Sequence, residues 1–307
     1  MFKILSLPQI YKKLYMKNVI SLTFLILSVT LFAQDKYEYF GVVSLNGDSQ
    51  SVISYRLVFT ETDGKIAGYS VTDMAGEHET KNVISGTYDE KTKAFNFREE
   101  DILYTKSPIS DDMFCFINFT GKVKLMNENS TLSGDFKGLF KNNTKCIDGS
   151  IKLLGSDKLY NKMNKMNRKL QRSNRFDEDI KRRANPVALL DSLKINSLIK
   201  GQNLNVFVKS DKVLLEIWDA GKEDGDMIQL YQNGKILLKD YKVTNKKKVI
   251  TLNIQKENIF KITASNEGEI SPNTAMIQLI DEKRKFELMS NLKEGESATI
   301  TILKSAE

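Results

Sequence analysis

Ser54-Tyr55-Arg56-Leu57-Val58-Phe59-Thr60-Glu61-Thr62-Asp63-Gly64-Lys65-Ile66-Ala67-Gly68-Tyr69-Ser70-Val71-Thr72 holds two short alternating runs, 54–61 and 67–72, on either side of Asp63-Gly64. Side chains alternate across a strand with period two, and Asp-Gly tolerates the positive φ of a tight turn, so the stretch predicts an antiparallel hairpin. The same rhythm extends both ways. A run at 40–45 precedes it; runs at 83–88, 93–98 (with Phe95 and Phe97 on one face), 113–119, 121–126, 131–140 and 149–154 follow. Regular spacing over residues 37–155 predicts an antiparallel β-barrel or sandwich, and closure into an up-and-down barrel would remove exposed edges. Ser85-Gly86-Thr87-Tyr88 and Ser133-Gly134-Asp135-Phe136 share a small-Gly-x-aromatic form that predicts bends within the strands.

At Ser156-Asp157, which offers a helix N-cap, the period changes. Leu159, Met163, Met166 and Leu170 recur at helical spacing, with Lys158, Lys162, Lys165, Lys169 and Arg172 in a parallel stripe. Residues 157–183 carry ten Lys or Arg against four Asp or Glu, a local charge of +6. Asn185-Pro186 interrupts this pattern, and residues 156–202 read as a basic helical connector. Its adjoining apolar and cationic stripes suit peripheral contact with an anionic membrane surface or an acidic glycan. No aromatic residue alternates with the cations between Asn161 and Arg175, so the stacking half of a nucleic-acid site is missing.

From about Asn203 the two-residue period returns at 213–218, 227–231, 235–239, 249–254, 259–264, 275–280 and 298–303, with Asn233-Gly234 as a second hairpin signal. Seven to nine strands without helical interruption predict an immunoglobulin-like β-sandwich over 203–307, and the chain as a whole is mainly β. Between two of these strands stands Trp218-Asp219-Ala220-Gly221-Lys222-Glu223-Asp224-Gly225-Asp226. Its acids suggest a calcium site at Asp219, Asp224 and Asp226, weighed against a solvated turn whose aspartates bond backbone amides. The spacing is not that of an EF-hand loop. Together with Asn233-Gly234, Asn266-Glu267-Gly268 and Pro272-Asn273-Thr274-Ala275, the Trp-Asp-x-Gly-x-x-Asp-Gly-Asp string resembles a β-sandwich module found at the C-termini of exported proteins of Bacteroidetes-type bacteria. That resemblance covers roughly residues 204–303 and implies an accessory, non-catalytic domain without a defined ligand. The first domain bears a loose likeness to lipocalin-type barrels.

The compartment is read from the other end. Lys12, Lys13 and Lys17 precede an apolar run, 19–32, that closes on Leu31-Phe32-Ala33-Gln34. The order basic, apolar, small is that of a secretory signal over 1–33, with Met1 or Met16 as the start; a bilayer span needs about 20 apolar residues. Without those residues the formal charge falls from +7 to +3. The expected location is periplasmic, cell-surface or extracellular. Two cysteines, Cys115 and Cys146, are expected to form a disulfide in an oxidising compartment. His78 is the one histidine, which leaves no His pair for zinc, and no phosphate-binding glycine loop or dinucleotide fingerprint occurs. The expectation is an exported, non-catalytic binding protein whose partner is a protein, glycan or lipid of the cell envelope. The alternatives are a lipocalin-like carrier of a small lipophilic molecule and a carbohydrate-active enzyme.

Overall fold

The computed structural model describes residues 36–47, 52–108, 113–123, 130–282 and 284–305. The signal segment 1–33 and both candidate starts lie outside the described residues. The first eight strands are β1 (Lys36–Leu45), β2 (Val52–Thr62), β3 (Lys65–Thr72), β4 (Thr80–Tyr88), β5 (Ala94–Thr105), β6 (Phe116–Lys122), β7 (Thr131–Leu139) and β8 (Gly149–Gly155). Each pairs antiparallel with the next in sequence, and β8 pairs with β1, so the sheet closes as an up-and-down barrel. Asp63 and Gly64 take positive φ, 51° and 78°, in the β2–β3 hairpin read from the sequence.

Alternation fills the barrel. Tyr39, Tyr55, Leu57, Phe59, Phe95, Phe119, Leu132 and Leu153 are 0–1% exposed in one core cluster. An eight-stranded barrel is just wide enough for side chains to fill. Two sequence readings need correction. Of residues 113–119 and 121–126, expected as two strands, Phe116–Lys122 form one strand, because Gly121 lies within β6 rather than at a turn; residues 124–126 lie outside the described residues. A Cβ on Gly121 would stand 2.4 Å from Phe119 Cζ, so glycine there lets the ring lie flat on the backbone. The run at 93–98 continues to Thr105, since Glu99 points inward despite its charge.

Cys115 and Cys146 form a disulfide, with Cα atoms 6.1 Å apart, tying the start of β6 to the loop before β8. The bond is consistent with an oxidising, extracytoplasmic compartment. It closes a loop of 31 residues, so the Cys115→Ser, Cys146→Ser double variant should lose about 3 kcal/mol of stability in urea unfolding.

The connector contains α1 (Ser156–Gln171), α2 (Glu178–Arg183) and α3 (Pro186–Ser192). Gly155, not Ser156 or Asp157, occupies the N-cap of α1, and no side chain bonds there. Asn185 does more than interrupt: its Oδ1 accepts from Val187 and Ala188 N–H and caps α3, with Pro186 in the first turn. Of the apolar stripe on α1, Leu159, Met163 and Leu170 are half-buried and Met166 is 51% exposed. No described helix is long and apolar enough to cross a membrane.

Ten strands follow: β9 (Ser197–Ile199), β10 (Asn203–Val208), β11 (Lys212–Trp218), β12 (Met227–Gln232), β13 (Lys235–Lys242), β14 (Lys248–Asn253), β15 (Glu257–Ala264), β16 (Met276–Asp281), β17 (Arg284–Asn291) and β18 (Ser297–Lys304). One sheet runs β14-β11-β16-β17-β9. The other, β13-β12-β15-β18-β10, joins the barrel through β10, where Asn205 and Val206 pair with Thr105 and Tyr104 at the end of β5. Buried residues of both sheets, among them Val213, Leu215, Ile217, Phe260, Ile262 and Ile300, form one continuous cluster that also takes in Leu103 and Tyr104 of β5. Strand β5 therefore serves two cores.

Candidate functional site

On the outer wall of the barrel, Arg56 pairs with Val71, Val71 with Lys81 and Lys81 with Tyr104, so these four side chains occupy one row across β2, β3, β4 and β5. Two cations two strands apart stand roughly 10 Å from each other. The connector lays Lys194 and Asn196 over this row, and β17 adds Lys285 and Glu287, enclosing a pocket of about 330 Å³ with Tyr69 in its wall. Residues distant in sequence thus supply four cations to one small volume.

Glu38 on β1 holds two of them. Its carboxylate accepts from Arg56 Nη2 at 2.6 Å and from Lys194 Nζ at 2.9 Å, and Arg56 Nη1 also donates to the Lys194 carbonyl at 3.4 Å. Lys81 has no such partner among the described residues; its ammonium lies 3.8 Å over the Tyr69 ring. Burial pulls the Lys81 pKa down to about 8, and the nearby Arg56 charge adds to the effect. Asn196 is 7% exposed, and both its Oδ1 and Nδ2 are buried without a hydrogen-bond partner among the described residues. An amide with neither end bonded costs stability unless a ligand meets it. The pocket is thus lined by four cations and the Glu287 carboxylate, with the Asn196 amide in its wall.

A second, broader depression of about 920 Å³ crosses the outside of β4 to β7. Two rows of outward side chains flank it, Ser85-Arg98-Asn118-Lys137 and Thr87-Asn96-Thr120-Asp135, each residue paired with the next across adjacent strands. It is lined by amides, hydroxyls and ions, without an outward aromatic ring for stacking a sugar. Of its carboxylates, Asp148 is held below the usual range by its hydrogen bond and ion pair with Lys145, the opposite of what a general acid needs.

Inside the barrel a polar layer surrounds Glu99, which is 4% exposed. Its Oε1 accepts from Tyr55 at 2.9 Å and Ser70 at 2.5 Å, and its Oε2 from the Ile117 N–H at 2.8 Å. Burial raises its pKa, against the hydrogen bonds that favour the carboxylate.

The acids read as a calcium site occupy different situations. Asp219 Oδ1 accepts from Gly221 N–H at 2.7 Å and closes the turn after β11. Asp226 is 1% exposed, and its pKa is pushed up to about 6 by burial and by neighbouring Asp224, Asp219 and Glu267. Asp224 Oδ2 accepts from Ile270 N–H at 3.1 Å, across the loop that carries Asn266 and Asn273. Among the described residues, no three His, Cys, Asp or Glu side chains gather as a metal-holding group. Comparisons of the chain with protein families, curated proteins and solved structures each gave no match. What the fold defines is a mainly β protein with a closed eight-stranded antiparallel barrel and a second β-sheet module.

Proposed function

We propose that this chain is an exported binding protein whose ligand is a small oxyanion bearing a hydroxyl, such as hydrogen phosphate or a hydroxy acid, held between the barrel wall and its connector. The observation that carries the reading is Asn196, with both ends of its amide buried and without a partner among the described residues, in the wall of the pocket that Lys81 also lines. Arg56 and Lys194, fixed by Glu38, supply a preorganised positive potential. The disulfide supports placement in the periplasm, on the cell surface or outside the cell. The shared cluster between the two C-terminal sheets supports an immunoglobulin-like β-sandwich as the second module. Catalysis forms no part of this reading.

Thermal unfolding in the presence of phosphate, sulfate, acetate, lactate and citrate tests it. A hydroxylated oxyanion should raise the melting temperature of the wild type, and Lys81→Met should abolish that rise. The same variant should melt higher than the wild type without ligand. Lys81 has a folded-state pKa below its unfolded value, so the unfolded chain binds more protons between about pH 8 and the ordinary lysine value, and stability climbs with pH across that window. Methionine removes the penalty that Lys81 imposes at lower pH. For the wild type, affinity should fall as pH rises through about 8. A ligand-induced shift that survives in Lys81→Met, or no shift with any of these anions, would dismiss the pocket.

A second reading, a lipocalin-like carrier of a lipophilic molecule, is favoured by the closed meander of the barrel itself. An apolar fluorescent probe that binds with one-to-one stoichiometry and is unaffected by Lys81→Met would support it.

A further inference from the structure

Among the described residues, two buried oxygens beside the acidic loop have no hydrogen-bond partner. One is Asp226 Oδ1; the other Asp226 oxygen accepts from Thr274 N–H at 2.7 Å. The second is Asn273 Oδ1, in a side chain that is 0% exposed. Asn273 Nδ2 donates to the carbonyls of Met227 and Asn266 at 3.0 and 2.9 Å, which fixes the amide orientation and makes the oxygen the open end. The loop is pinned further by Asn266, which accepts from Met227 N–H and donates to the Gly225 carbonyl.

The carboxylates converge. A Cβ built on Gly268, where φ is +58°, would meet Asp224 Oδ1 at 2.8 Å and Asp226 Oδ1 at 2.9 Å, so both oxygens crowd one point on the backbone. Among the described residues, no Lys or Arg forms an ion pair with Asp219, Asp224 or Asp226; Lys222, the cation of the loop itself, pairs with Glu269 at 3.5 Å. Like charges held together around unsatisfied acceptors are stabilised by a bound cation.

We propose that the Asp219–Asp226 and Asn266–Thr274 loops bind a calcium ion through Asp224, Asp226 and the amide oxygen of Asn273. All three donors are oxygen, the set a hard cation takes, and backbone carbonyls and water complete the six to eight ligands that calcium accepts. Two carboxylates plus an amide make a mixed set, one that does not require three acidic side chains at one point. Asp219 is a positioning residue that closes the turn. The proposal is independent of the oxyanion pocket.

The test uses the whole protein stripped with EDTA. Calcium should bind with a stoichiometry of one and raise the melting temperature by about 5 °C or more at a hundredfold excess over Kd, with a smaller effect from magnesium. Terbium should report the same site by luminescence excited through the neighbouring Trp218 and be displaced by calcium. Asp226→Asn should lose calcium binding and the terbium signal while melting, in EDTA, no lower than the wild type. Asp219→Asn should keep calcium binding. No calcium-dependent heat or shift in the wild type would overturn the site, as would calcium binding that persists in Asp226→Asn.

Discussion

Phe95→Ala is expected to lower the free energy of unfolding by about 3–5 kcal/mol, among the larger losses from a single truncation in this chain. Phe95 is 0% exposed and has ring centroids around it at 5.0 Å (Phe59), 5.9 Å (Phe97), 6.3 Å (Phe119) and 6.5 Å (Tyr88). These rings come from β2, β4, β5 and β6, on both sides of the lumen, so no single strand can shift to close the gap. The transfer of a phenyl ring and the cavity left behind add together. Denaturant unfolding followed by fluorescence and circular dichroism measures the loss. A change below about 1 kcal/mol would mean that the barrel interior is loosely filled, and would strengthen the carrier reading.

Glu99→Ala should cost roughly 3 kcal/mol, for the opposite reason. It removes a buried charge, which by itself is favourable, but strands the Tyr55 and Ser70 hydroxyls and the Ile117 N–H in an apolar interior. Glu99→Gln keeps an oxygen for the hydroxyls yet turns an N–H toward the Ile117 N–H, so an intermediate loss is expected. The wild type also has a pH signature. The folded-state pKa of Glu99 is raised, so its contribution is complete below the ordinary glutamate range and is lost as pH climbs through the raised value. Unfolding measured as a pH series should show that decline in the wild type and lack it in Glu99→Gln. An Ala variant as stable as the wild type would show that solvent reaches this layer.

The barrel was legible because its strands alternate cleanly around turns that need positive φ; Asn233 and Gly234, with φ of 48° and 78°, behave as Asp63 and Gly64 do. Misreadings arose where one residue breaks the polarity rule. Glu99-Glu100-Asp101 looks like the end of a strand, yet Glu99 lies inside the barrel and β5 runs on to pair with β10. Strand β17 is alternating, Lys285-Phe286-Glu287-Leu288, with Phe286 and Leu288 buried, but charges on every second residue masked it. The acidic loop could be found because its residues are adjacent; Asn273 needed the fold to bring it there. The pocket between the barrel wall and the connector left no local trace. Arg56, Lys81, Lys285 and the connector pair Lys194 and Asn196 come from four separate segments, and each alone reads as an ordinary surface residue.

The most direct measurement is anomalous diffraction from crystals of the protein soaked in arsenate, a hydroxyl-bearing analogue of hydrogen phosphate whose arsenic can be located directly. The account predicts an arsenic peak within hydrogen-bonding reach of Lys81 Nζ and Asn196 Nδ2, absent from crystals of Lys81→Met grown and soaked alike. Arsenic bound elsewhere on the surface, with this pocket holding only water, would contradict it.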